Sequence, residues 1–184
     1  MIPTLPLRLR NRLAETILAA LHDAAARREL AALSAPEAAA RWLGADEARW
    51  AAPLAERARG ACAALVGRPL HGSRAELAQA LEDAAVLFDA GLHFEVHEVL
   101  EPHWATSGGD TREALQGLIQ AAVGFQHLAN GNVAGAHSLL IDAGGRLHGR
   151  TLLGRDLEPF ARAAGQAAAR IAAGQTVSAP AFPR

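Results

Sequence analysis

The chain has 184 residues, 51% of them hydrophobic, and a formal net charge of −1 at neutral pH, with eighteen basic residues that are all arginine. That length suits one domain, or one domain with an appendage, and can bury a sizeable core; the near-neutral balance argues against a nucleic-acid partner. Cys62 stands alone, which excludes an intrachain disulfide framework and a cysteine-built zinc site. No apolar run approaches the roughly 18 residues of a membrane-spanning helix and residues 1–6 contain no signal-like apolar core, so no membrane partner and a cytoplasmic location are expected.

Alanine, leucine and arginine dominate, there is no tyrosine, and no stretch alternates Val, Ile, Thr or aromatic residues as a half-buried strand would. The expectation is an all-α bundle of about seven helices with no sheet. In chain order, residues 7–33 read as one long amphipathic helix, Ser34 to Glu37 as the capping turn of a short helix ending at Gly44, and Asp46 as the start of a third helix reaching Val66. Residues 67–72, Gly-Arg-Pro-Leu-His-Gly, form the clearest break. Ser73 and Glu76 then cap a helix over 74–90 that stops at Gly91, before a histidine-rich helix. Asp110 with Glu113 predicts a capping box for a helix over 111–129, Asn130-Gly131-Asn132 a turn, and further helices are expected over 133–147 and 156–173. The domain reading is a helical extension over 1–70 that packs on the core through Trp42 and Trp50, a helical domain over 73–174, and a loose tail over 175–184.

Six of the eight histidines lie between His93 and His148, and the densest group is Leu92-His93-Phe94-Glu95-Val96-His97-Glu98-Val99-Leu100-Glu101-Pro102-His103-Trp104. Each helical residue advances about 100°, so His93, His97 and Glu101 share one stripe at i, i+4 and i+8. That stripe borders the apolar arc of Leu92, Val96, Val99, Leu100 and Trp104, which predicts partly buried imidazoles. Glu95 and Glu98 fall on the opposite side, where Phe94 hints at further packing. One helix later, Gln116, Gln120 and His127 form a polar but uncharged stripe, while Gly117, Ala121 and Gly124 form a small-residue strip that permits close helix approach.

Phe88-Asp89-Ala90-Gly91, His97-Glu98-Val99-Leu100-Glu101-Pro102-His103-Trp104, Leu115-Gln116-Gly117-Leu118-Ile119-Gln120-Ala121-Ala122, Gly131-Asn132 and Gly135-Ala136 together resemble the domain-of-unknown-function family 309, small helical proteins of bacteria and archaea, over about residues 74–160. The resemblance implies an all-helical fold and carries His97, Glu98, Glu101, Trp104, Gly117, Gln120, Gly131 and Asn132 as family positions. It implies no reaction. Two positions depart from the pattern: His93 stands where an aromatic residue is usual, and Ala105 where a basic residue commonly follows the tryptophan.

Three readings of the histidine helix follow. In the first, His97 and Glu101 form a semi-buried polar network with Gln120 beneath Trp104, joined by Gln116, Gly117 and Asn132, in a binding or scaffold module. In the second, His97 and Glu101 ligate zinc, manganese or iron with His93 or His127 as third ligand, although the His-Glu-x-x-His order of zinc peptidases is absent. In the third, Glu98 or Glu101 orients His97 as a general base acting on a small molecule, which makes His97, Glu98 and Glu101 the candidate catalytic residues. Gly108-Gly109 and Gly144-Gly145-Arg146 follow no strand, so no nucleotide cofactor is expected. Self-association as a homodimer is expected through the Gly117, Ala121, Gly124 strip or through Leu13, Ile17 and Leu21.

Overall fold

The computed structural model describes residues 5–70 and 76–184, and the chain divides into two compact units, Met1–Glu76 and Leu77–Arg184. His71 and the expected capping residue Ser73 lie outside the described residues. Among the described residues no helix is long and apolar enough to cross a membrane.

The first unit contains α1 (Leu7–Ala20), α2 (Ala24–Leu33), α3 (Pro36–Leu43), a 3₁₀ helix (Ala45–Trp50) and α4 (Ala51–Leu65). The single helix expected over 7–33 is two. Asp23 leaves helical geometry at φ −125°, ψ 130°, and its carboxylate accepts the Ala26 N–H at 2.7 Å, so it caps a new helix. The apolar periodicity spans this break, with Leu9, Leu13, Ile17, Leu30 and Leu33 all buried, and thus conceals it. The helix expected from Asp46 instead starts as 3₁₀ and becomes α-helical at Ala51. Pro53 supplies the reason: it has no N–H to donate four residues back, so it is tolerated only in a first turn. Ala35, not Ser34, is the N-cap residue of α3, with Pro36 at the first helical position. Trp42 and Trp50 are only half-buried, and the Arg12 guanidinium lies 3.5 Å above the Trp42 ring.

The second unit contains α5 (Leu77–Asp89), α6 (His93–Thr106), α7 (Gly109–Ala129), α8 (Val133–Leu147), a hairpin of β1 (Thr151–Leu152) and β2 (Arg155–Asp156), and α9 (Glu158–Ala172). The described residues therefore hold nine α-helices and one small antiparallel sheet, against about seven helices and no sheet expected. Thr151 pairs with Asp156 and Leu152 with Arg155 around Leu153 (φ 47°) and Gly154 (φ 79°), the two positive φ values a tight hairpin turn needs. A leucine at positive φ is a poor sequence signal for such a turn, and two-residue strands show no alternation.

α7 and α8 run antiparallel at short range. A β-carbon at Gly117 would lie 2.7 Å from Leu147 Cγ, and one at Gly124 3.0 Å from Leu140 Cγ. The small-residue strip is consequently consumed inside the unit, and Leu13, Ile17 and Leu21 are each 0% exposed, so neither face expected to join two copies is open. The capping box does not form either. Asp110 pairs with Arg150 and Glu113 with Arg146, because antiparallel packing sets the acidic first turn of α7 beside the basic end of α8, where both charges complement the helix dipoles.

The tail expected to be loose is docked at its far end. Phe182 is 3% exposed, its ring centre 5.4 Å from Phe88 and 5.8 Å from Phe160, and its N–H donates to Asp89 Oδ1 at 2.8 Å. Burial of an aromatic ring outweighs the local disorder that a proline-containing segment suggests.

Glu158, at the start of α9, accepts the Gly149 N–H at 2.8 Å and faces His148 Nδ1 at 2.9 Å. The Gly149 hydrogen bond, with smaller contributions from the charges of His148 and Arg162, holds its carboxyl below the ordinary glutamate value. A depressed carboxylate adds stability that is present above the unfolded pKa and is lost as pH falls through the folded one. Wild type should therefore exceed Glu158→Gln in urea midpoint at neutral pH, with the difference vanishing on acidification toward about pH 3. Parallel midpoint curves for the two proteins would show that Glu158 is energetically silent.

Candidate functional site

The approach to α6 is set by Gly91. At φ 76° it lets the Leu92 N–H reach the Leu87 carbonyl at 2.8 Å and its own N–H reach Phe88 at 2.9 Å, the paired bonds of a Schellman ending for α5. The chain reverses and places His93, the first residue of α6, against Phe88 with ring centres 4.7 Å apart. Phe125 lies 5.7 Å from His93 on another side, and His93 is 8% exposed. His93 thus belongs to an aromatic core of Phe88, Phe125, Phe160 and Phe182. Where the resemblance implies an aromatic residue, the imidazole of His93 packs as an aromatic ring.

One turn on, His97 has a different environment. Its side chain retains 29% of its accessible surface, Glu98 37% and Glu101 53%. His97 Nδ1 lies 3.0 Å from Glu98 Oε1, and His97 Nε2 lies 3.9 Å from Glu101 Oε2. A carboxylate only accepts, so Nδ1 presents a hydrogen to Glu98, which leaves Nε2 as the ring nitrogen that faces Glu101. The ligand-capable atoms of His97, Glu98 and Glu101 all lie within 4.8 Å of one another. Glu95, expected opposite the apolar arc, is fully buried, which fulfils the hint given by Phe94 that this side also packs.

The other expected members are dispersed. His127 Nδ1 accepts the Asn132 amide at 2.7 Å, while Asn132 Oδ1 accepts the Gly135 N–H at 3.0 Å as N-cap of α8. His127 and Asn132 therefore lock the α7–α8 corner, and neither His127 nor His93 joins the ligand cluster. Gln116 is half-buried. Among the described residues, Gln120 has a buried Oε1 without a hydrogen-bond partner, and Trp104 a buried Nε1 in the same condition. The direct Gln120 bond to His97, Glu98 or Glu101 expected from the wheels is not made: sharing a helix face sets direction, but not the last ångströms of reach. Gly117 serves α8 packing, as described.

Arg112 was not among the sequence candidates. From the first turns of α7 its guanidinium lies 3.9 Å above the Trp104 ring and donates to the Trp104 carbonyl at 2.8 Å. It gives Trp104 the cationic neighbour that Ala105 cannot provide. Its spacing of eight residues across a Gly-Gly turn, onto an antiparallel helix, was the available signal.

The second unit is thus a mostly helical domain, with one small hairpin, that carries a half-exposed His–Glu–Glu cluster on one helix. Residues 81–139, from α5 into α8, match the family model described as a domain of unknown function, DUF309, which covers part of the second unit. The matched segment is shorter than the resemblance over 74–160 and contains all of α6 and α7. No curated protein and no solved structure matches the chain.

Proposed function

We propose that the second unit, within the segment that matches DUF309, binds a divalent metal ion of the zinc, manganese or iron type through His97 Nε2 and Glu101, with Glu98 holding the imidazole from behind. The observation that carries this reading is the two-sided environment of His97, a carboxylate at 3.0 Å on Nδ1 and a second carboxylate at 3.9 Å from Nε2. Histidine ligands characteristically donate their other ring N–H to a carboxylate, which fixes the tautomer and raises ligand basicity. Two ligands on one tetrahedral ion at about 2.1 Å stand about 3.4 Å apart, so a small side-chain rotation brings Nε2 and Glu101 into range. Their partial exposure makes that rotation inexpensive. Two protein ligands leave the remaining positions to water or a small molecule, and a metal in such an open site supplies Lewis-acid chemistry. The same Glu98 contact also suits His97 as a metal-free general base.

Calorimetric titration of tag-free, chelator-treated full-length protein with zinc or manganese tests the proposal. One ion per chain is expected, with binding abolished in His97→Ala, strongly reduced in Glu101→Gln and about 10- to 100-fold weaker in Glu98→Gln. His127→Ala should leave binding unchanged. Absence of binding at millimolar metal, or its survival in His97→Ala, would remove the metal reading and leave the general base.

A further inference from the structure

The segment over residues 174–181 is mostly exposed and forms no helix or strand, yet it ends in a set of contacts arranged as in a peptide complex. The Phe182 ring enters between Phe88 and Phe160, and its N–H donates to Asp89 Oδ1. Arg184 Nη2 lies 2.6 Å from the second oxygen of the same Asp89. Arg155, on β2, donates to the Pro183 carbonyl at 3.0 Å while also pairing with Glu82 on α5. The receptor groups, Asp89, Arg155, Phe88 and Phe160, all come from elements outside the segment, namely α5, β2 and α9, and Arg155 has a further partner in Glu82 on α5.

The fit is close only at the end. An open depression of about 240 Å³ lies between the segment and α5, lined by Phe88, Asp89, Ala179, Pro180 and Ala181. That depression opens to solvent, so the segment lies on the surface along most of its length and is buried chiefly at Phe182 and Pro183. Here a solvated leash delivers one aromatic anchor, one cation and two main-chain groups to a formed groove. Such a segment is held by its effective concentration as well as by its contacts, and the same contacts are available to an identical segment arriving from outside.

We propose that the groove of Phe88, Asp89, Arg155 and Phe160 is a docking site for a Phe-Pro-Arg peptide segment, filled here in cis by residues 182–184 and able to accept the same segment from a second copy of the chain. Aromatic burial supplies the affinity, and Asp89, reading a main-chain N–H and a guanidinium together, supplies the register.

Complementary full-length variants test this. The double variant Phe182→Ala, Arg184→Ala has an intact groove and no docking segment; Asp89→Ala has an intact segment and a weakened groove. Each alone should be monomeric by light scattering, and their mixture at about 100 μM should contain a one-to-one heterodimer. A labelled peptide of residues 178–184 should bind the double variant, bind wild type far more weakly because the site is already filled, and lose at least about tenfold in affinity when Asp89→Ala is added to the double variant. Circular dichroism confirms folding, and peptide binding to the double variant does not depend on the Asp89 variant being stable. No peptide binding to the folded double variant would overturn the docking site. Peptide binding without a heterodimer would overturn the second copy as its occupant.

Discussion

Phe88→Ala is expected to destabilise the protein by about 3 to 5 kcal/mol, the range for deleting a fully buried aromatic ring. Phe88 is 0% exposed and stands at the centre of its cluster, with ring centres of His93, Phe182, Phe160 and Phe125 at 4.7, 5.4, 5.5 and 5.8 Å. Three of these pairs meet edge to face and the fourth is tilted, which adds to the cost of area lost. Four surrounding rings supported from different elements cannot all collapse into the vacated volume, so the upper half of the range is expected. Urea denaturation should show a reduced midpoint with an unchanged slope. A loss under about 1 kcal/mol would mean that the cluster repacks freely and that His93 is not held by it. The same variant should free the Phe182 anchor, making residues 174–184 sensitive to protease while the rest of the unit stays resistant.

Gly117→Val should cost about 3 kcal/mol, the upper end for overpacking a well-filled interior. Its first side-chain carbon would stand 2.7 Å from Leu147 Cγ, 2.8 Å from Leu147 Cδ2 and 3.2 Å from Arg146 Cβ. Leu147 is 0% exposed and has no solvent to swing into, so α8 itself would have to move away from α7. Gly165 in α9 provides the contrast, since it has ordinary helical φ and a β-carbon there would meet nothing within 4 Å. Gly165→Ala should therefore stabilise by up to about 1 kcal/mol, the helix-propensity difference alone. Thermal melts of both variants against wild type read the opposite signs directly; a neutral Gly117→Val would show that α7 and α8 are not in close register.

Local signals carried much of the domain. Gly91 announced its turn because only a residue free of a β-carbon enters positive φ cheaply, and the paired bonds to Leu87 and Phe88 follow from that one conformation. The stripe of His97 and Glu101 follows from the pitch of a helix, and their atoms do meet, at 3.9 Å. Gly117 and Gly124 announced a close helix approach, because each glycine in a helix costs stability that some contact must offset. None of this said which helix would approach. That α8 takes the strip, that Arg150 and Arg146 draw Asp110 and Glu113 out of a capping box, and that Arg112 covers Trp104 all depend on antiparallel pairing between segments 8 to 40 residues apart. Asp23 was hidden for the converse reason, since the helices on either side of it bury the same apolar period and the cap interrupts the backbone without interrupting the pattern. The docked Phe182 lay furthest from view. An aromatic residue between prolines carries no periodicity at all, and only the groove formed by Phe88, Phe160, Asp89 and Arg155, brought together from α5, α9 and the hairpin, gives it a place. Composition, helix pitch and glycine conformation are properties of neighbouring residues and were legible in the chain; partners were decided by packing, where free energy depends on surfaces that neighbouring residues do not share.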